Sequence, residues 1–128
     1  MNGYSFCFVT SKIKECTSFY QDFFSGKVNF DCGWNVNICL LDSDFSLQFM
    51  QPQDGRKPFS EAGIMININV DDVDEQYARL KSLGATIEMP LEDHPWGDRG
   101  FSVVDPIGNS VYIYSEREPS EEFSKYYK

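Results

Sequence analysis

The chain has 128 residues, of which 41% are hydrophobic and 24% are charged, and its formal net charge is −9. This length and composition predict one globular domain. The acidic charge disfavours nucleic acid as a partner, because phosphates would be repelled, and no apolar run approaches the roughly 18 residues that a membrane span needs. The opening sequence MNGYSFCFVTSK lacks the basic and apolar regions of a signal peptide, so we expect a cytoplasmic protein that binds neither nucleic acid nor membrane.

Two segments of the chain repeat the same order of elements. The segments YSFCFVTSKIKECTSFYQDFFSGKVNFD and IMININVDDVDEQYARLKSLGATIEM each predict a strand, an amphipathic helix, a glycine and a second strand. Apolar residues recur in each helix at spacings of three and four, which marks the buried face. These residues are Ile13, Cys16, Phe19, Tyr20 and Phe23 in the first helix, and Val73, Tyr77, Leu80 and Leu83 in the second.

Two further strands follow each of these openings. The first pair spans Asn35–Leu41 and Phe45–Gln51, and the second pair spans Arg99–Asp105 and Ser110–Glu116, joined by the turn sequence PIGN. The pattern therefore predicts an α+β fold of two β-α-β-β-β modules, at about residues 3–52 and 63–117 of a domain covering 1–117. The tail, residues 118–128, is charged and aromatic, and it is either a short helix docked on a partner or frayed.

The strands have two different faces. Alternation along the strands predicts one aliphatic face, which should lie under the helices. The residues on this face are Val36, Ile38, Leu40, Leu47, Phe49, Ile66, Val111 and Ile113. The other face carries aromatic rings, amides and methionines rather than the Lys, Glu and Thr of a solvated sheet. Such a surface is typical of a pocket for an apolar ligand, although a buried dimer interface has a similar composition.

The four cysteines all lie in the first third of the chain, with no C-x-x-C pair. We expect small buried side chains in a reducing compartment rather than disulfides or a metal site.

With its two modules and the ending WGDRGFSVVDPIGNSVYIY, the chain resembles the vicinal oxygen chelate superfamily, the group of glyoxalases, bleomycin-resistance proteins and extradiol dioxygenases. The pattern PWG-x-R-x-F-x-x-x-DP-x-GN is most similar to the bleomycin-resistance-type branch. The resemblance implies that the modules form a curled mixed sheet with helices on its outer face. It also implies a homodimer with pockets near the subunit boundary.

The resemblance further assigns four positions at which enzymes of the family carry metal ligands. In this chain those positions hold Tyr4, Gln48, Met65 and Tyr112. Phenol, amide and thioether groups are poor ligands for Zn²⁺, Ni²⁺ or Fe²⁺, so we expect no metal and no other cofactor. Two enzymatic alternatives stay open, a relocated metal site or acid–base chemistry by His94, the single histidine, although a lone histidine in such a loop is usually a surface residue.

Two residues of the same motif have a choice of roles. Trp96 either stacks on a planar ligand at the rim of the pocket or covers an edge of the core. Arg99 either pins a carboxylate or supports the DPIGN turn, in which Asp105 accepts backbone hydrogen bonds and Gly108 adopts a positive φ.

The function predicted from these observations is the sequestration of a small apolar or aromatic compound, such as an antibiotic, and the acidic net charge is compatible with a cationic one. Alternatives are a lyase, isomerase or dioxygenase of the same superfamily, or an interaction module whose sheet cavity is filled. We predict no catalytic residue, and the predicted ligand-binding residues are Tyr4, Phe6, Asn37, Gln48, Met50, Met65, Asn67, Trp96, Tyr112 and Tyr114.

Overall fold

The computed structural model describes residues 5–53, 55–60 and 63–128, which divide into two compact units. The first unit comprises Met1–Ala62 and the turn Asp105–Gly108, and the second comprises Gly63–Val104 and Asn109–Lys128. No helix in the described ranges is both long enough and apolar enough to cross a membrane.

The first unit contains one helix and a four-stranded sheet in the order β1-β4-β3-β2, in which β1 pairs with β4 in parallel and the other pairs are antiparallel. Its elements are β1 (Ser5–Val9), α1 (Ile13–Phe24), β2 (Lys27–Asp31), β3 (Asn35–Cys39) and β4 (Ser46–Met50).

The second unit repeats this arrangement, with the sheet order β5-β8-β7-β6 and a parallel pairing of β5 with β8. Its elements are β5 (Met65–Asn69), α2 (Val73–Ser82), β6 (Ile87–His94), β7 (Asp98–Val104), β8 (Ser110–Glu116) and the four-residue helix α3 (Glu121–Ser124). The predicted α+β class and the two β-α-β-β-β modules are therefore confirmed, with each module forming its own sheet.

The aliphatic face of each sheet is buried against the helix of the same unit. In the first unit the ring of Tyr20 on α1 stacks on Phe49 of β4 at a centroid distance of 5.7 Å, and in the second Tyr77 on α2 meets Phe101 of β7 edge-on at 5.0 Å. The helical faces differ from prediction at their C-terminal ends. Phe24 is buried in α1, whereas Leu83 lies beyond the end of α2 and is 51% exposed.

The turn after β7 is built around a buried carboxylate. Asp105 accepts hydrogen bonds from the backbone N–H of Ile107 at 3.0 Å and from the Tyr20 hydroxyl at 2.6 Å. Gly108 adopts the positive φ of 88° that favours glycine. The predicted turn therefore forms, and Tyr20 ties it to α1 within the first unit.

The cysteines do not form the buried set predicted from the sequence. All four are free thiols, and Cys16 on α1 is fully buried, but Cys7 and Cys32 are exposed and Cys39 is half-buried. The prediction was wrong for the other three: Cys7 and Cys39 are strand residues that alternate onto the face away from the helix, and Cys32 lies just beyond the end of β2.

Candidate functional site

A cleft of about 580 Å³ lies on the second unit, on the face of its sheet opposite α2. Alternation on β5 and β8 turns the polar and aromatic side chains to this face, while Ile66, Val111 and Ile113 are buried on the other. The cleft is lined by Met65, Asn67, Met89, Trp96, Gly97, Asp98, Tyr112, Tyr114, Glu116 and Tyr127.

Aromatic rings form much of the cleft wall. Tyr112 and Tyr114 stack at 5.7 Å with an interplanar angle of 20°. Trp96 is 43% exposed, in the turn between β6 and β7, and its ring stacks on His94 at 4.4 Å with an angle of 3°. The cleft therefore offers rigid aromatic surface to a planar apolar molecule.

At the base of the cleft, Asp98 is the centre of a hydrogen-bonded network. The Tyr112 hydroxyl lies 2.9 Å from both carboxylate oxygens of Asp98, and His94 Nδ1 lies 2.8 Å from Asp98 Oδ1. His94 Nε2 lies 3.4 Å from Oε1 of Glu92. Burial, and then the hydrogen bond to Asp98, raise the pKa of Tyr112 above its usual range, so this hydroxyl stays protonated at neutral pH.

Gly100 makes room for this network. A Cβ at position 100 would lie 2.5 Å from the Tyr112 hydroxyl oxygen and 2.6 Å from its Cζ. The Tyr112 ring therefore crosses β7 where there is no side chain, and its hydroxyl reaches Asp98 two residues earlier on the same strand.

The expectation that His94 is a surface residue was wrong. Strand β6 continues to His94, and the turn that follows brings Asp98 directly opposite it. The His94 side chain is only 8% exposed.

The C-terminal segment closes one side of the cleft. The backbone N–H groups of Arg117 and Ser120 donate to the carbonyls of Gly97 and Pro95, both at 2.8 Å. The Tyr127 hydroxyl donates to the Trp96 carbonyl at 2.5 Å.

Of the two alternatives for the tail, the structure shows the short helix rather than a frayed end, and its docking on a partner stays a prediction. A short helix forms and packs on the β6–β7 turn of its own unit, where the Phe123 ring meets Trp96 edge-on at 6.5 Å.

Charge in the cleft is entirely acidic. Asp98 and Glu116 contribute carboxylates, and no lysine or arginine lines the cleft among the residues that the structure describes. Arg99 points to the opposite face, where it binds Asp74 of α2 in a bidentate ion pair with distances of 3.0 to 3.3 Å. Arg99 therefore has a structural role, but its partner is a carboxylate of α2 rather than the DPIGN turn or a ligand.

The structure brings together five of the ten predicted ligand-binding residues in this cleft. They are Met65, Asn67, Trp96, Tyr112 and Tyr114. Sequence reasoning missed four other lining side chains, Met89, Asp98, Glu116 and Tyr127. The alternation of side chains along β7 and β8 could have predicted Asp98 and Glu116 on the cleft face, since these two residues are register partners at the end of the sheet.

The predicted residues of the first unit lie on its own sheet. Asn37 and Gln48 are register partners on β3 and β4, and Met50 shares their face. Phe6 lies on the opposite face of the sheet from Gln48. In the parallel pairing of β1 with β4, Cys7 is the register partner of Gln48, and Phe6 is the register partner of the buried Leu47. Tyr4 lies outside the described residues.

The donors present do not fit the metal that enzymes of such a fold carry. Gln48 supplies a neutral amide, Met65 a thioether, and Tyr112 a phenol whose raised pKa and bond to Asp98 oppose deprotonation. In the described ranges no group of three or more His, Cys, Asp or Glu side chains is placed to hold a metal ion.

Residues 5–113 match the family model of the Glyoxalase/Bleomycin resistance protein/Dioxygenase superfamily, and the chain belongs to this superfamily. A member of the superfamily from Sphaerobacter thermophilus has a similar structure, with a TM-score of 0.72 and 26% identity over 91% of this chain and 98% of that one.

Two other solved structures share the fold at lower identity. An antibiotic-binding protein from a Streptomyces species has a TM-score of 0.72 and 22% identity, over 91% of this chain and 96% of that one. A lactoylglutathione lyase from Agrobacterium tumefaciens has a TM-score of 0.70 and 21% identity, over 87% and 90%.

Among curated proteins, an uncharacterized protein of Mycobacterium bovis is 44% identical over 46 residues. The match covers 36% of this chain and 30% of that relative.

Proposed function

We propose that the protein binds a small, largely apolar or aromatic molecule in the cleft of the second unit and sequesters it without a metal ion or other cofactor. The main support for this proposal is the lining of the cleft, where an exposed tryptophan and a stacked pair of tyrosines lie beside two methionines. Aromatic and methionine side chains with few polar groups are typical of small-molecule sites.

The acidic lining favours an uncharged or cationic ligand over an anionic one, since Asp98 and Glu116 are the charged groups of the cleft in the described residues. A cation placed over Trp96 or Tyr114 would add a cation–π contact. An antibiotic is one such ligand, and the fold shared with an antibiotic-binding protein supports this version. We propose further that the chain belongs to the bleomycin-resistance-type branch and acts as a cytoplasmic homodimer.

Binding is tested with N-phenyl-1-naphthylamine, an uncharged aromatic dye whose fluorescence rises in apolar sites. Trp96→Ala should weaken dye binding roughly 30-fold, because truncating a central tryptophan costs about 2 kcal/mol. The matched control is Trp34→Ala, since Trp34 is 47% exposed, close to the 43% of Trp96, and lies on the first unit. Equal losses in the two variants would contradict the assignment of this cleft.

The antibiotic version has its own test. Calorimetric titration with bleomycin that gives no heat, together with no protection of DNA from cleavage by the drug, would remove it without removing the cleft as a binding site.

The second candidate is an enzyme of the same superfamily, favoured by the His94–Asp98–Tyr112 network at the cleft. The fold shared with a lactoylglutathione lyase is in line with it. Elemental analysis of the purified protein separates the metal-dependent version of this enzyme from the metal-free proposal. Stoichiometric Zn, Ni, Mn or Fe that survives a chelator would overturn the metal-free proposal.

A further inference from the structure

The His94 ring packs against one face of the Trp96 ring. The two rings are stacked and nearly parallel, with an interplanar angle of 3° and a centroid distance of 4.4 Å. The His94 side chain is 8% exposed, whereas Trp96 is 43% exposed. One face of the indole therefore rests on the imidazole, so the orientation of Trp96 depends on how firmly the His94 ring is held.

Both edges of the His94 ring face carboxylates. Nδ1 lies 2.8 Å from Asp98 Oδ1, and Nε2 lies 3.4 Å from Glu92 Oε1. An ionised carboxylate only accepts hydrogen bonds, so the Nδ1 edge donates its proton to Asp98. The imidazole ring is then neutral when Nε2 is unprotonated and positively charged when Nε2 carries a second proton.

The buried Nε2 atom has no hydrogen-bond partner within normal geometry. A neutral ring protonated on Nδ1 would direct the Nε2 lone pair at the Glu92 carboxylate, which is repulsive. A doubly protonated ring has a favourable interaction on both edges, and its positive charge also lies over the indole face as a cation–π contact.

We propose that His94 is the positioning residue of the cleft: protonated, it fixes Trp96 for the ligand, and loss of its Nε2 proton loosens Trp96 and weakens binding. This inference rests on the proposed function, because it concerns the regulation of the same site. Affinity for an uncharged ligand then falls as pH rises.

The groups facing His94 come from three strands. Glu92 lies on its own strand β6, Asp98 on β7 and Tyr112 on β8, with the Tyr112 hydroxyl 3.1 Å from Nδ1. Glu116 is the other carboxylate of the cleft. Asp93, although adjacent to His94 in sequence, forms its ion pair with Arg99.

The role of His94 is tested without any ligand. The chain has two tryptophans, so Trp34→Phe leaves Trp96 as the single fluorescent indole. A stacked imidazolium quenches indole emission by accepting an electron from the excited ring. Trp96 emission should therefore rise in one single-proton step as pH increases. Adding His94→Gln should abolish this step.

A matched pair of charge variants identifies the cause. Glu92→Gln removes the carboxylate at Nε2 and should move the midpoint of the step to lower pH, because the imidazolium loses a favourable partner. Asp93→Asn removes the same charge from the neighbouring residue on the same strand and should leave the midpoint in place. A step that persists in His94→Gln, or equal shifts in the two charge variants, would overturn the proposal.

The consequence for binding is measured with N-phenyl-1-naphthylamine in the Trp34→Phe background. We expect binding about fivefold weaker at the high-pH end of the step than at the low-pH end, the equivalent of about 1 kcal/mol for one cation–π contact. The His94→Gln variant should bind with no such change. A dye that binds no variant contradicts the proposed function, whereas the ligand-free titration decides the role of His94 by itself.

Discussion

Replacing Gly100 by alanine should disrupt the base of the cleft through a single methyl group. The new Cβ would lie 2.5 Å from the Tyr112 hydroxyl oxygen, 2.6 Å from its Cζ and 2.9 Å from the Ile113 carbonyl oxygen. The ring must move, and its hydrogen bond to Asp98 is then lost.

Three effects set the size of the change. Overpacking costs about 1 to 3 kcal/mol, and a hydrogen bond to a charged group contributes about 1.5 to 3 kcal/mol. Alanine regains roughly 0.5 to 1 kcal/mol relative to glycine through the lower entropy of the unfolded chain. We therefore expect Gly100→Ala to lower the free energy of unfolding by about 3 kcal/mol.

Urea denaturation of four variants in a double-mutant cycle checks the cause of this loss. In a Tyr112→Ala background the ring is absent, so Gly100→Ala should cost below about 1 kcal/mol, the remainder arising from the Ile113 carbonyl. A cost that is the same in both backgrounds would refute the argument, because it would mean that Tyr112 is not what the methyl group displaces.

Tyr20→Phe should lower the free energy of unfolding by about 1.5 to 3 kcal/mol, because it removes the buried hydroxyl that donates to Asp105; unchanged urea denaturation would contradict this. Burial raises the pKa of Cys16 to about 12, and since the thiolate is the reactive form, Cys16 stays a protonated thiol at about pH 8. A thiol-disulfide reagent should then label the exposed Cys7 and Cys32 in the native protein and label Cys16 only after unfolding, as read by peptide mass spectrometry. Labelling of Cys16 in the native state would show that the α1 core opens.

The fold was predictable because its signals are local. Helical spacing marked Ile13, Cys16 and Tyr20 as the buried face of α1, and all three are buried. Alternation marked the aliphatic face of each sheet in the same way. The misplacement of Phe6 followed from the first strand, SFCFV, where apolar residues occupy both faces and the pattern does not identify the buried one.

The site was less predictable because its contacts join residues that are distant in sequence or separated by a turn. His94 was expected on the surface since the sequence DHPWGD suggests a loop, yet β6 and β7 extend to either end of a short turn and set His94 opposite Asp98. The reach of Tyr112 across Gly100 depends on sheet register, which a single sequence does not specify at the level of individual residues.

The arrangement of protons in the network bears on whether the cleft binds or catalyses. Acid–base catalysis needs a group that exchanges a proton with the ligand. Here the Tyr112 hydroxyl and His94 Nδ1 both bond to Asp98, and burial raises the pKa of the tyrosine. These two protons are therefore held between protein groups, and transfer of either one to a ligand would leave the Asp98 carboxylate poorly solvated in a largely buried position. The network stabilises the rings that form the cleft wall, which is in line with the proposed binding role.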